Sequence, residues 1–374
     1  PPNNWRCAFT GGPAWEWVPE RGQWYLHLFL AEQPDLNWHN PEVVEAMHET
    51  LRFWLDRGVD GFRVDAVHGL VKAPGYPDEP GRPDPRVPTR YDIEATIDLV
   101  RGFRRVLDSY PGDRAMVGEV YILSTAEVAR FYGDGDALHL AFNFPPLYAP
   151  WRASAWREQI GRVAAVIDAK GRWPTWVLSN HDNPRHRTRY GSEARARAAA
   201  VLLLTLRGTP FVYAGEELGL QDAVVAPSRV RDPGGRDGCR APIPWTPEAG
   251  HGWGGAEPWL PWPPDASTRD AASQRADPAS VLHLYRRLLA ARRASTALCL
   301  GEVEVLSFGG ADATVLAYRR WAPGDERLVL VNFADRQVDL GLRRRRVVEV
   351  ASDGAGEGGA YAGTLAPSQA VILR

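Results

Sequence analysis

Cysteine is scarce in this 374-residue chain: Cys7, Cys239 and Cys299 are the only three, an odd number at wide spacing. That excludes a disulfide framework and fits a reducing, cytoplasmic setting. None of the nine histidines pairs with a cysteine at metal-ligand spacing, so neither a metal nor another cofactor is expected. Lysine is almost missing too. Of 44 basic residues only Lys72 and Lys170 are lysines, a bias that reads as genome composition rather than a binding function. The net charge of -2 leaves no basic footprint for nucleic acid or acidic lipid. The one basic block, Arg343 to Arg346, reads as a solvated edge. No apolar run approaches the ~18 residues of a membrane span. No charged start followed by an apolar stretch marks a signal peptide. There is also no initiator methionine: the chain opens Pro1-Pro2-Asn3-Asn4-Trp5, already loop-like and aromatic, and reads as the interior of a longer protein.

What remains is an ordinary globular composition, 44% hydrophobic and 24% charged, long enough for one large domain and one small one. Tryptophan is the unusual ingredient, with 15 residues. Trp5, Trp15, Trp17, Trp24, Trp38, Trp253, Trp259 and Trp262 all fall in polar, Pro/Gly-rich stretches rather than in periodic ones. Flat amphipathic rings in such places suit the apolar faces of sugars; filling a loop-rich lid is an equal reading.

Residues 1–40 lack helical periodicity, apart from a short strand expected at 24–29. Asn40-Pro41 is a helix start, and Val43, Val44, Met47, Leu51, Trp54 and Leu55 recur at helical spacing until Gly58 stops them. Strand 61–64 follows, then a Pro/Gly-rich excursion over 72–88, helix 92–110, strand 115–117, helix 124–132, strand 137–142, helix 154–169, strand 176–178, helix 192–207 and strand 210–213. Residues 221–279 are Pro-, Gly- and Trp-rich and read as a structured insertion. Helix 280–293 leads into short alternating strands at 303–308, 314–319, 327–332, 347–350 and 370–373, the pattern of a small β-sandwich.

Three of these strands each run into a carboxylate. The stretches are Gly61-Phe62-Arg63-Val64-Asp65-Ala66, Met116-Val117-Gly118-Glu119-Val120 and Val177-Leu178-Ser179-Asn180-His181-Asp182. Strand ends of a parallel barrel open on one face, so the three acids are expected to share a pocket. Two acids suffice to cleave a glycosidic bond. Arg63 lies two residues before Asp65 and so on the same strand face, where its guanidinium would hold the carboxylate ionised and oriented. A structural ion pair is the bland alternative for those two residues, and an exposed strand-terminal glutamate is the alternative for Glu119.

These residues resemble the α-amylase superfamily, glycoside hydrolase family 13, in its oligo-1,6-glucosidase and α-glucosidase branch. The three acid stretches match the family's regions in order. Gln33-Pro34-Asp35-Leu36-Asn37 is similar to the branch's fifth region, and Gly208-Thr209-Pro210-Phe211-Val212-Tyr213-Ala214-Gly215-Glu216-Glu217 to its last-strand region. The resemblance implies a (β/α)8 TIM barrel lacking its first three strand–helix units, followed by a C-terminal antiparallel β-sandwich. Residues 1–40 would be a lid remnant, 41–300 barrel strands 4–8, and 301–374 the sandwich. The family's first conserved region, with an Asp and an Asn-His pair, is absent. Residues 1–374 alone are therefore expected to be inactive or poorly folded, and the full-length protein active.

The resemblance implies a retaining α-glucosidase acting on short oligosaccharides such as maltose. Asp65 would be the nucleophile, Glu119 the acid/base kept protonated by partial burial, and Asp182 the stabiliser of the transition state. His181 would contact sugar hydroxyls, and Arg185 would close a lid or touch a hydroxyl. Ala66, small where the branch's α-1,6 enzymes carry a bulky residue, points to α-1,4 linkages. His68 would line the leaving-group subsite. Two other readings stay open: glucosyl transfer, as in sucrose isomerases or trehalose synthases, and a non-catalytic transporter-associated heavy chain.

Overall fold

The computed structural model describes residues 1–81, 86, 89–255, 257–342 and 346–374. In chain order the strands are β1 (Trp15–Val18), β2 (Gln23–Leu26), β3 (Gly61–Val64), β4 (Ala115–Gly118), β5 (Leu140–Ala141), β6 (Thr175–Val177), β7 (Thr209–Phe211), β8 (Glu302–Leu306), β9 (Val315–Ala322), β10 (Asp325–Asn332), β11 (Val338–Asp339), β12 (Val348–Ala351), β13 (Thr364–Leu365) and β14 (Ala370–Leu373). The helices are α1 (Pro41–Leu55), α2 (Ile93–Asp108), α3 (Thr125–Arg130), α4 (Ala153–Val166), α5 (His186–Tyr190), α6 (Glu193–Thr205), α7 (Ala271–Ala276), α8 (Val281–Ala294) and α9 (Thr296–Leu300). The chain divides into two compact units, Pro1–Pro145 with Ala165–Pro174, and Pro146–Ala164 with Thr175–Arg374.

In the first unit, residues 1–40 are more ordered than their composition predicts. β1 and β2 form an antiparallel hairpin, and Trp5, Cys7, Ala14, Leu26 and Leu28 make a core beneath it. Trp5 is thus a fully buried core residue, not a sugar-facing ring. α1 begins as expected: Asn40 accepts the Glu42 N–H through its side chain, and Pro41 follows as the first helical residue. Gly58, at φ +90°, then turns the chain into β3.

β3, β4 and β5 lie side by side as a parallel sheet. A Cβ at Gly61 would sit 2.1 Å from the Ala115 carbonyl oxygen, so only glycine allows β3 to approach β4 this closely. α2 connects these two strands and buries Ile93, Ile97, Val100, Phe103, Val106 and Leu107, one face at helical spacing. The strand expected at 137–142 shrinks to two residues. Its ladder is interrupted because the His139 imidazole, not a backbone carbonyl, takes the Met116 N–H.

In the second unit, β6 and β7 form a parallel pair joined through α5 and α6. α6 is buried on nearly every side, which its Ala-Ala-Ala-Val-Leu-Leu-Leu run anticipates. The C-terminal region is a five-stranded antiparallel sheet in the order β12-β14-β10-β9-β8. A short ladder of β11 and β13 contributes Val338 and Leu365 to the same core as Leu328, Leu330, Val371 and Leu373. Of the basic block, Arg343 to Arg345 lie outside the described residues. Arg346 is partly buried and pairs with Glu326 at 2.6 Å, so it is not simply a solvated edge. Part of the 72–88 excursion likewise lies outside the described residues. Among the described residues no helix is long and apolar enough to cross a membrane.

Candidate active site

The site starts from strand register. Val64 on β3 is paired with Gly118 on β4, so the next residues, Asp65 and Glu119, leave two neighbouring parallel strands at the same level. The Glu119 N–H donates to the Val64 carbonyl at 2.9 Å, and the Val67 N–H donates to the Glu119 carbonyl at 3.1 Å, so the backbone around both acids is fixed. Ala66 has a left-handed conformation, φ 40° and ψ 38°, unusual for a residue with a Cβ. That turn aims its N–H at Glu119 Oε2, 3.2 Å away. Backbone strain of this kind clusters at functional sites.

Arg63 bridges the two acids. Its Nη1 donates to Asp65 Oδ1 at 2.5 Å and its Nη2 to Glu119 Oε2 at 2.8 Å. Both carboxyl groups therefore converge on one guanidinium. Their surroundings differ sharply: the Asp65 side chain is 74% exposed, and that of Glu119 only 12%. Burial pushes the Glu119 carboxyl up to about 7. The Ala66 N–H and the Arg63 guanidinium oppose that rise, and the Asp65 carboxylate adds to it. Two adjacent acids in environments this different are equipped for different tasks, one as proton donor and one as nucleophile.

A cleft of about 240 Å³ opens beside this pair, lined by Phe29, Asp35, Asp65, Ala66, His68 and Tyr91 among others. The Gln33 to Leu36 stretch of the fifth-region motif forms part of its wall. The loop is pinned there by Lys72, whose Nζ donates to Asp35 Oδ1 at 2.5 Å and to the carbonyls of Gly69 and Leu70. His68 reaches the cleft but is buried, not a surface turn residue. Its Nδ1 lies 3.2 Å from the Tyr121 N–H and 3.5 Å from the Glu119 carbonyl, and burial pulls the imidazole down to about 4, so it is neutral.

In the second unit Asp182 and His181 form a cluster after β6. The Asp182 N–H donates to Asn180 Oδ1, and His181 Nε2 lies 3.3 Å from Asp182 Oδ2. Asp182 Oδ1 receives Arg236 Nη1 at 2.7 Å and Arg240 Nη2 at 3.1 Å. Arg236 is in turn held by Asp232, whose carboxyl that hydrogen bond draws down to about 2. Sequence reasoning passed over Asp232, Arg236 and Arg240. Their spacing of four residues within an aperiodic insertion was the available signal. Arg185 stands apart from this group: it is 2% exposed, donates to the Ala214 carbonyl at 2.9 Å and lies over the Tyr213 ring. The loop after β7 packs over its guanidinium through Tyr213 and Ala214.

Carboxylates at the C-terminal ends of parallel strands, with the region-by-region match of the sequence, define the class as a glycoside hydrolase fold with a C-terminal antiparallel sheet. The chain belongs to the alpha-amylase family, glycoside hydrolase family 13: the family's "Alpha amylase, catalytic domain" model matches residues 1–301. It is 37% identical to the "Probable alpha-glucosidase" of Rhizobium meliloti, over 93% of this chain and 68% of that protein. Maltase A1 of Drosophila melanogaster is 33% identical over 88% of this chain and 63% of its own length. The chain therefore spans about two thirds of such relatives. Among solved structures, the trehalulose synthase MutB from Pseudomonas mesoacidophila MX-45 superposes with a TM-score of 0.87 at 30% identity, covering 100% of this chain and 75% of that one. The alpha-glucosyl transfer enzyme XgtA gives 0.87 at 34% identity, with the same coverage.

Proposed function

We propose that this chain carries the catalytic apparatus of a retaining α-glucosidase that removes terminal α-1,4-linked glucose from short oligosaccharides such as maltose. The observation that carries the reading is that one guanidinium, Arg63, holds both an exposed Asp65 carboxyl and a buried Glu119 carboxyl. Two carboxyl groups bridged by one guanidinium support the retaining arrangement, in which they are ~5–5.5 Å apart, over the inverting one at ~6.5–9.5 Å. Asp65 attacks the anomeric carbon while Glu119 gives its proton to the departing oxygen. The bond from carbon to the leaving oxygen breaks as the glucosyl-aspartate ester forms. Glu119, now a carboxylate, takes a proton from water, which attacks the same carbon and releases Asp65. Asp182 offsets the positive charge of the oxocarbenium-like transition state, with His181 on the sugar hydroxyls.

Proton NMR of p-nitrophenyl α-glucoside hydrolysis tests this: two displacements predict that α-glucose appears before its β-anomer. β-Glucose appearing first overturns the reading. The assay is run on this chain and on an N-terminally extended form, and maltose is expected to be cleaved in preference to isomaltose. The acid also sets a pH limit. Glu119 must enter the first step protonated, so kcat/KM should fall about tenfold per unit as pH rises beyond about 7. A profile flat to pH 9 would rule out Glu119 as the acid.

Transfer in place of hydrolysis is the second reading, favoured by the likeness to MutB and XgtA. The same ester would then be resolved by a sugar hydroxyl instead of water. Chromatography after incubation with sucrose separates the two: isomeric disaccharides mark transfer, free glucose and fructose mark hydrolysis.

A further inference from the structure

The hairpin of β1 and β2 exposes a feature that the catalytic pair does not use. Trp17 and Trp24 sit directly opposite each other across the two strands, with ring centroids 5.3 Å apart and planes tilted by 58°. They are 43% and 41% exposed. Residues alternate along a strand, so Trp15 shares the face of Trp17, and Leu26 that of Trp24. Trp15 and Leu26, paired one step inward, join the core built on Trp5, Ala14 and Leu28. Trp15 also gives its indole N–H to Asn3 Oδ1 at 2.7 Å. The same apolar face therefore begins in a packed core and ends in two open indoles.

That core also supports the cleft. Phe29 and Tyr91 pack against it and at the same time line the cavity beside Asp65. Leu28, four residues beyond Trp24, lines the cavity as well, so at ~3.3 Å per residue Trp24 lies at most about 13 Å from it. A cross-strand aromatic pair lends a hairpin some stability, but that role does not call for the two largest apolar side chains to face water. Paired open indole faces on the hairpin whose core also backs a sugar-sized cleft suit the apolar faces of further pyranose rings, and their N–H groups suit the hydroxyls.

We propose that Trp17 and Trp24 form a remote stacking subsite for the outer sugar rings of a malto-oligosaccharide whose terminal glucose lies at Asp65. The inference rests on the α-glucosidase reading, and it adds a preference for chains longer than maltose.

The test is the doublet Trp17→Leu/Trp24→Leu, which keeps an apolar pair on the hairpin but removes the flat rings, beside Trp17→Tyr/Trp24→Tyr, which restores them. Unaltered circular dichroism and melting temperature establish that the hairpin persists. Within each protein, kcat/KM for maltopentaose is divided by kcat/KM for maltose. The ratio is expected to fall about threefold to tenfold in the leucine doublet and to recover in the tyrosine doublet. Calorimetric titration with maltopentaose should show the same loss of affinity without any turnover. A ratio and an affinity unchanged in the leucine doublet overturn the subsite. So does an unchanged affinity accompanied by a loss of self-association in sedimentation, which would assign the pair to contact between copies of the chain. If neither this chain nor its N-terminally extended form hydrolyses either sugar, the α-glucosidase reading has failed, and the titration still decides whether the tryptophans bind the oligosaccharide.

Discussion

Asp65→Asn is expected to lower the rate of maltose hydrolysis by at least about 10³-fold, with little change in melting temperature. The amide is nearly isosteric and its oxygen can still accept from Arg63, but it cannot form the glucosyl ester. The stability cost is small because the side chain is 74% exposed. Glu119→Gln should behave differently. With maltose, whose leaving group needs a proton, the loss is expected to be about 10²–10⁴-fold. With p-nitrophenyl α-glucoside, whose phenolate leaves unaided, the loss in the first step should be much smaller. The pair is also linked electrostatically, because the Asp65 carboxylate contributes to holding the Glu119 proton. In Asp65→Asn that contribution disappears, so the Glu119 carboxyl should titrate lower, which carbon-13 NMR of labelled glutamate can follow. Asp65→Asn retaining a tenth or more of the activity would remove it from the role of nucleophile.

The parts of this site that sequence made legible are those that depend on local pattern. β3, from Gly61 to Val64, and β14, from Ala370 to Leu373, fall where apolar alternation places them. Asp65 and Glu119 follow their strands by one residue, and a parallel register then brings them level. What stayed hidden depends on long-range pairing. Arg63 is two residues from Asp65 but 56 from Glu119, and nothing along the chain announces that its second nitrogen reaches the other acid. Arg236 and Arg240 lie in an insertion without periodicity, and only folding brings them to Asp182. Composition was misleading at Trp5: a ring in a Pro/Gly-rich stretch looks exposed, yet its N–H is satisfied by the Pro77 carbonyl and its body fills a core. Secondary structure was least legible where side chains replace backbone partners, as His139 does at β5, and where a helix is only five residues long, as in α5.

Lys72→Met is expected to destabilise the first unit by about 3–5 kcal/mol and to lower its melting temperature by roughly 10 °C. Lys72 is 5% exposed in a chain that otherwise uses arginine almost exclusively. Three oxygens explain the choice: Asp35 Oδ1 at 2.5 Å, the Gly69 carbonyl at 2.5 Å and the Leu70 carbonyl at 3.2 Å all converge on Nζ. A tetrahedral ammonium can donate to all three from one point, whereas a planar guanidinium spreads its donors over a wider fork, so Lys72→Arg should not rescue. Burial pulls the ammonium below the usual lysine range, and Asp35 opposes that pull. Removing the lysine leaves a largely buried carboxylate with the Leu28 N–H, at 2.7 Å, as its remaining charge-stabilising contact among these groups. The penalty is therefore mostly that of an uncompensated charge, and Asp35→Asn should relieve much of it in the Lys72→Met background. Because Asp35, Gly69 and Leu70 all line the cleft beside Asp65, loosening them should also raise KM more than it lowers kcat. Additive effects of the two substitutions in a double-mutant cycle, or a Lys72→Met protein as stable as the unsubstituted one, would mean that the ammonium does not hold this wall in place.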